Sequence, residues 1–296
     1  MQARWSRSPA PVTDYRELTF RSQDGLELYC RDYGDPLSTK TPVLCLSGLV
    51  RNSADFDGVA RRLMGERREH CPDYRGRGRS DRDPDWSHYE PRTYINDLFH
   101  LLAVTGVDRA VIVGTSLGGL LAMGLAVLRP TAVAGVVLND IGPEVVTDGL
   151  ARITAYVGTD HPQPDWESAV RHLRQLLPRL APKADDAWWR LLAEGTYRQG
   201  ADGILHFDWD LAIAKPFLHQ QQKLMPDLWA LYRGLRRLPV LALRGEISDI
   251  LSVDVLRRMV LEKPDLVCVT VPDAGHTPSL GEPISIKALD DFLSRF

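Results

Sequence analysis

The chain has 296 residues, 44% of them hydrophobic and 25% charged, enough for one large globular unit or a core with an inserted subdomain. Its net charge of −3 gives no electrostatic basis for binding nucleic acid or an anionic membrane. Residues 1–8 lack the apolar core of a secretion signal, and no apolar run approaches the roughly 18 residues that cross a bilayer. Four cysteines (Cys30, Cys45, Cys71 and Cys268) show no C-x-x-C spacing and read as buried free thiols; the expected location is the cytoplasm.

A polar tail over residues 1–16 comes first. Alternating apolar residues at 18–20 and 26–30, on either side of Asp24-Gly25, predict a hairpin. A short buried strand over 42–46 ends in Ser47-Gly48-Leu49, a helix follows over 56–63, and a second short strand, 69–72, runs into Asp73-Tyr-Arg-Gly-Arg-Gly-Arg-Ser80. Apolar positions 94, 95, 98, 101 and 102 mark one face of a helix that Gly106 closes. The β-branched run Val111-Ile112-Val113 then leads into an apolar helical segment over 117–128, and 133–139 is the next buried strand. Such alternation predicts a doubly wound, mostly parallel sheet with two antiparallel strands at its start.

The alternation stops between about 143 and 235. Helical segments dominate there, with a Pro-, Gly- and Asp-rich stretch near 199–216, and five of the seven tryptophans (Trp166, Trp188, Trp189, Trp209, Trp229) fall in this region. Strands resume at 239–243 and 266–271, each followed by a helix. The expected organisation is therefore a core built from 17–143 and 236–296, with a helical cap over 144–235 inserted after the sixth strand.

Between the strand at 111–113 and its helix sits Gly114-Thr115-Ser116-Leu117-Gly118, the G-x-S-x-G pattern of a nucleophile elbow. A serine at so sharp a turn would collide with side chains two positions away on either side, and glycines remove them. The following helix aims its free N–H groups at negative charge developing beside Ser116. The serine needs a base. Of the eight histidines, His276 alone directly follows a strand, in the small-residue loop Pro272-Asp-Ala-Gly-His276. His70, His88, His100, His161, His172, His206 and His219 read as solvated or packing residues.

The ordered set Ser47-Gly48-Leu49, Asp73-x-Arg75-Gly76-x-Gly78-x-Ser80, Gly114–Gly119, Gly245-Glu-Ile-Ser-Asp249 and Gly275-His276 resembles the α/β-hydrolase family, in its small, cofactor-free, cap-bearing bacterial form. The resemblance spans about 17–296. It implies an order Ser…Asp…His, with acid and histidine after the two strands that follow the cap, which selects Asp249 as the acid. Asp140 is the rival, because some related enzymes hold the acid after the strand that ends at Asn139; Glu246 is a weaker alternative. The family's oxyanion donors map to the backbone N–H groups of Leu49 and Leu117. A His-Gly pair usual in the family is Ser47-Gly48 here. Arg75-Gly-Arg-Gly-Arg79 lacks a P-loop pattern and reads as a structural turn.

The expected reaction is hydrolysis of a small-molecule carboxylic ester or lactone through an acyl-enzyme on Ser116, with no cofactor and no metal. Hydrolysis of a carbon–carbon bond in a β-diketone-like acid and a low-turnover ligand receptor are the alternatives. Arg51, close to Leu49, is a candidate grip for a substrate carboxylate unless it pairs with Asp55 or Asp57. Of Trp188 and Trp189, adjacent on a helix, one should pack inward and the other face the pocket or solvent.

Overall fold

The computed structural model describes residues 14–216 and 227–296. The expected tail therefore falls almost wholly outside the described residues, as does His219. Eight strands form one sheet in the order β1-β2-β4-β3-β5-β6-β9-β10. Strands β1 (Tyr15–Arg21), β2 (Glu27–Tyr33) and β4 (Glu69–Pro72) pair antiparallel, as the alternating pattern and the Asp24-Gly25 turn require. From β4 through β3 (Val43–Leu46), β5 (Ala110–Thr115), β6 (Val133–Asn139), β9 (Val240–Gly245) and β10 (Val267–Val271) every pairing is parallel.

The central strands read as unbroken apolar runs because helices cover both faces of the sheet. One face packs under α2 (Pro91–Thr105) and α3 (Leu117–Leu128), and the other under α1 (Asp57–Leu63) and α9 (Pro283–Leu293). Strand β10 is an edge, and its alternate residues face outward. Cys268 is therefore exposed, unlike Cys30, Cys45 and Cys71, which corrects the expectation that the thiols are buried. Among the described residues no helix is long and apolar enough to cross a membrane.

After β6 the chain leaves the sheet to form α4 (Thr147–Val157), α5 (Trp166–Leu176) and α6 (Asp186–Glu194). Asp165 and Asp185 cap α5 and α6 by accepting from the amides of Ser168 and Trp188. A two-stranded antiparallel hairpin, β7 (Tyr197–Gln199) with β8 (Leu205–Phe207), lies where the sequence reads as an irregular stretch. Short strands offer too few alternations to register as a period. Their aromatic residues build a core of the inserted region: Phe207 stacks on Trp209 with ring centroids 4.0 Å apart, and Tyr197 lies 4.9 Å from Phe207.

One helix grouped with the cap in the sequence sits elsewhere. Helix α7 (Leu228–Gly234) packs against α3, and the Tyr232 hydroxyl donates to the Met259 carbonyl in α8 (Val253–Glu262). It is the crossover helix that returns the chain to β9, a connection that must lie on a face of the sheet.

Candidate active site

Strand β5 delivers Ser116 at the C-terminal edge of the sheet, and α3 begins at the next residue. Ser116 has φ 51° and ψ −115°, a strained conformation for a residue with a side chain. Two close approaches hold it. A Cβ on Gly114 would come within 2.4 Å of the Gly118 carbonyl oxygen, and one on Gly118 within 2.0 Å of the Leu46 carbonyl oxygen. The Ser116 amide donates to the Asn139 carbonyl (3.0 Å), locking the turn to β6.

His276 lies in the loop after β10. Its Nε2 is 2.9 Å from Ser116 Oγ, and its Nδ1 is 2.8 Å from Asp140 Oδ2. Asp140 is fully buried and has φ 55°, a left-handed position that turns the carboxylate back across the strand ends. It also accepts from the Gly245 amide at Oδ1 (2.8 Å) and from Ser248 Oγ at Oδ2 (2.6 Å). A buried carboxylate needs such a set of donors, and this set holds it in one orientation.

Asp249, expected to orient His276, does not do so: among the described residues its only side-chain partner is Arg152 of α4. Arg152 Nε donates to Asp249 Oδ2 at 2.9 Å and Nη2 to Oδ1 at 3.1 Å. Burial alone would raise the Asp249 pKa, but the hydrogen bonds and charge of Arg152 hold it below the usual carboxylate range. The physical reason is a choice of partner: the guanidinium matches a carboxylate fork-to-fork, while Asp140 already sits beneath the imidazole. Glu246 is exposed and accepts from the Asp273 amide.

Two residues in this neighbourhood escaped the sequence reading. Ser248 joins Asp140 to the loop after β9, since its Oγ also accepts from the amides of Ile250 and Leu251 (both 3.2 Å). Asn139 donates to Thr115 Oγ1 (3.1 Å) and to the Pro278 carbonyl (2.9 Å), tying β5, β6 and the His276 loop together. Their short polar side chains beside strand ends were the available signal.

The Leu49 and Leu117 amides flank the Ser116 turn, and neither has an acceptor among the described residues. Arg77 fixes the Leu49 loop: its Nε donates to the Leu49 carbonyl (2.8 Å), and its Nη1 to the Arg75 carbonyl (2.8 Å) and the Tyr94 hydroxyl (2.9 Å). Arg75 is buried among Asp97, Asp83 and Asp24, to which it donates at 2.5–3.1 Å. Arg75 and Arg77 of the run are thus bound internally, while Arg79 is exposed and pairs with Glu17. Asp24, Asp83 and His88 also converge, but the Arg75 guanidinium donates to both of those carboxylates, which leaves no anionic pocket for a cation.

Above Ser116 lies a cavity of about 770 Å³, between the sheet edge and the helices inserted after β6. Ile153, Leu177, Leu180 and Leu192 supply apolar wall, and Arg51, Arg152 and Tyr156 supply polar groups. Trp188 lines this cavity, whereas Trp189 is buried, their rings meeting edge to face at 5.2 Å. Arg51 is paired. Its Nε lies 2.9 and 3.0 Å from the two Asp55 oxygens, its Nη2 also donates to Asp55, and its Nη1 donates to Thr196 Oγ1. The expected carboxylate grip at Arg51 is therefore already filled by a neighbour one helical turn away.

A family model described as "Alpha/beta hydrolase family" matches residues 43–285. The chain belongs to the alpha/beta hydrolase family. Among curated members of it, this chain is 33% identical over 271 residues to a 3-hydroxybutyrate-oligomer hydrolase of Cupriavidus necator, a match covering 89% of this chain and 91% of that one. It is 31% identical over 253 residues to a 2-(acetamidomethylene)succinate hydrolase of Mesorhizobium japonicum, covering 85% and 87%. Among solved structures, an alpha/beta hydrolase from Novosphingobium aromaticivorans superposes with a TM-score of 0.91 at 42% identity, covering 96% of this chain and all of the other. The mostly parallel eight-stranded sheet is that of the alpha/beta hydrolase fold, and the chain is a hydrolase.

Proposed function

We propose that this hydrolase cleaves carboxylic esters of short hydroxy acids through an acyl-enzyme on Ser116, with His276 as general base and Asp140 as the acid of the triad. The observation that carries the reading is the unbroken hydrogen-bonded chain Ser116 Oγ–His276–Asp140 at 2.9 and 2.8 Å, opening into a cavity of drug-sized volume. Asp140 accepts from Nδ1–H, which keeps Nε2 free to take the serine proton. Ser116 Oγ then attacks the ester carbonyl, and the negative charge forming on its oxygen is held by the Leu49 and Leu117 amides, each worth roughly 10²–10³ in rate. His276 returns the proton to the leaving alcohol and next activates a water that hydrolyses the acyl-enzyme. The similarity to the 3-hydroxybutyrate-oligomer hydrolase over most of both chains supports an ester of a short hydroxy acid as substrate.

The test is a pre-steady-state measurement with 4-nitrophenyl butyrate, followed by turnover of linear 3-hydroxybutyrate dimer. The wild type should show a burst of nitrophenolate, and Ser116→Ala none. Ser116→Ala and His276→Ala should each lower kcat by roughly 10⁴–10⁶, and the double variant should be scarcely worse, because the two groups serve one step. Additive losses, or a burst that survives Ser116→Ala, would overturn the reading. The 2-(acetamidomethylene)succinate similarity supplies one competing substrate for the same assay; turnover of that compound in place of the dimer would move the scissile bond while keeping the triad.

A further inference from the structure

The cavity has one polar end that the proposed triad does not use. Arg152 and Tyr156, one turn apart on α4, line the same cavity as Ser116 and His276. Asp249 occupies only one edge of the Arg152 guanidinium, through Nε and Nη2. The Nη1 group donates to nothing among the described residues, nor is it among the buried polar atoms left without a partner, so it is an accessible donor on a side chain that lines the cavity. The Tyr156 hydroxyl is in the same position, with no hydrogen-bond partner among the described residues and no place among the sealed polar atoms. Both are donors without acceptors at the wall of a substrate-sized space.

We propose that Arg152 Nη1 and the Tyr156 hydroxyl form a subsite for a substrate carboxylate, which makes the preferred substrate an ester bearing a free acid end. This rests on the ester-hydrolase reading above. An arginine already paired with one carboxylate can hold another, because its five N–H groups point along separate edges. The molecule does this elsewhere: Arg75 gives Nε and Nη2 to Asp97 while its Nη1 serves Asp24 and Asp83. Arg51, in the same cavity, has no comparable opening, since each of its three nitrogens is engaged by Asp55 or Thr196. The Arg152–Asp249 pair is neutral as a unit, so the subsite binds a carboxylate by directed hydrogen bonds more than by net charge. Asp249 also fixes where the guanidinium points, because its loop is joined to the start of α4 by the Val146 amide donating to the Ile250 carbonyl (3.2 Å).

The experiment compares linear 3-hydroxybutyrate dimer with its methyl ester, following cleavage of the internal ester by chromatography. The wild type should favour the free acid by at least tenfold in kcat/KM. Arg152→Met should reduce that preference about 10–100-fold, with the change in KM for the acid, and Tyr156→Phe should reduce it about 3–10-fold. Asp249→Asn, which leaves the guanidinium unneutralised, should lower KM for the acid. Circular dichroism and thermal melting check that each variant is folded; Tyr156→Phe removes a single oxygen and keeps the test informative if Arg152→Met does not fold. Equal effects on acid and methyl ester, or no effect on either, would overturn the subsite. A wild type that cleaves both dimers equally through Ser116 would also overturn it while leaving the hydrolase reading intact; a wild type that cleaves no ester at all would remove both.

Discussion

Replacing Asp140 by asparagine changes one atom and tests the charge arrangement behind His276. The carboxylate accepts three hydrogen bonds: Oδ2 from His276 Nδ1 (2.8 Å) and Ser248 Oγ (2.6 Å), and Oδ1 from the Gly245 amide (2.8 Å). An asparagine has one oxygen and one NH₂ to offer. If its oxygen stays with the Gly245 amide, the NH₂ faces His276, Nδ1 becomes the acceptor, and the ring carries its proton on Nε2, where it cannot take the Ser116 proton. If the amide flips, two buried N–H groups face each other at Gly245, at a cost of about 1–3 kcal/mol. The first arrangement is the cheaper, and the wrong tautomer lowers kcat by roughly 10³–10⁴, or about 4–5.5 kcal/mol of activation free energy. Steady-state hydrolysis of 4-nitrophenyl butyrate measures it, with Asp249→Asn as the comparison. Asp249 is committed to Arg152, so its asparagine variant should stay within about tenfold of wild type. The reverse ranking, or two equal and small losses, would refute the assignment of the acid.

Trp188→Ala should change KM and the preferred acyl length, because the ring lines the cavity, while Trp189→Ala should leave the acyl preference alone and lower the melting temperature, on the roughly 3–5 kcal/mol scale of a buried aromatic removed. A shift in acyl preference from Trp189→Ala and none from Trp188→Ala would contradict these placements. Glu69 gives a pH prediction. It is fully buried in β4, neither carboxylate oxygen has a hydrogen-bond partner, and burial pushes its pKa up to about 8 from an ordinary 4.5. The native state thus holds this proton more tightly than the unfolded chain, so stability from Glu69 is present below about 4.5 and lost as pH rises through about 8. Glu69→Gln should accordingly raise the melting temperature little at pH 5 and by several degrees near pH 9, corresponding to roughly 2–4 kcal/mol; a pH-independent difference would refute it.

Much of this molecule is legible in its sequence because two periods govern it. Apolar runs such as Val111–Val113 mark strands buried on both faces, and the spaced apolar residues of α2 mark a helix lying on them. The elbow is legible for a different reason: Gly114 and Gly118 are demanded by atoms within 2.4 Å, and such a demand leaves a fixed pattern. His276 stands out as the histidine directly after a strand. The acid does not stand out, since Asp140 and Asp249 both follow strand ends, and what separates them is a guanidinium 97 positions away in the chain from Asp249. Arg51 shows the same limit in milder form, as pairing with Asp55 is a local option that the sequence raises but cannot decide. The β7–β8 hairpin and the placement of α7 depend on contacts with no periodic trace.

The adjacency of β5 and β6 in the sheet has an evolutionary consequence. With Ser116 and Asp140 on neighbouring strand ends, everything in the proposed relay but the imidazole is encoded before the chain departs into the cap. The loop after β9 is relieved of supplying an acid, and its aspartate instead holds Arg152, which lines the cavity. The proposed relay and the Arg152 wall thus meet at this loop, where Ser248 holds Asp140 and its neighbour Asp249 holds Arg152. Substitutions confined to α4 would therefore alter the cavity wall without touching any member of the Ser116–His276–Asp140 hydrogen-bonded chain.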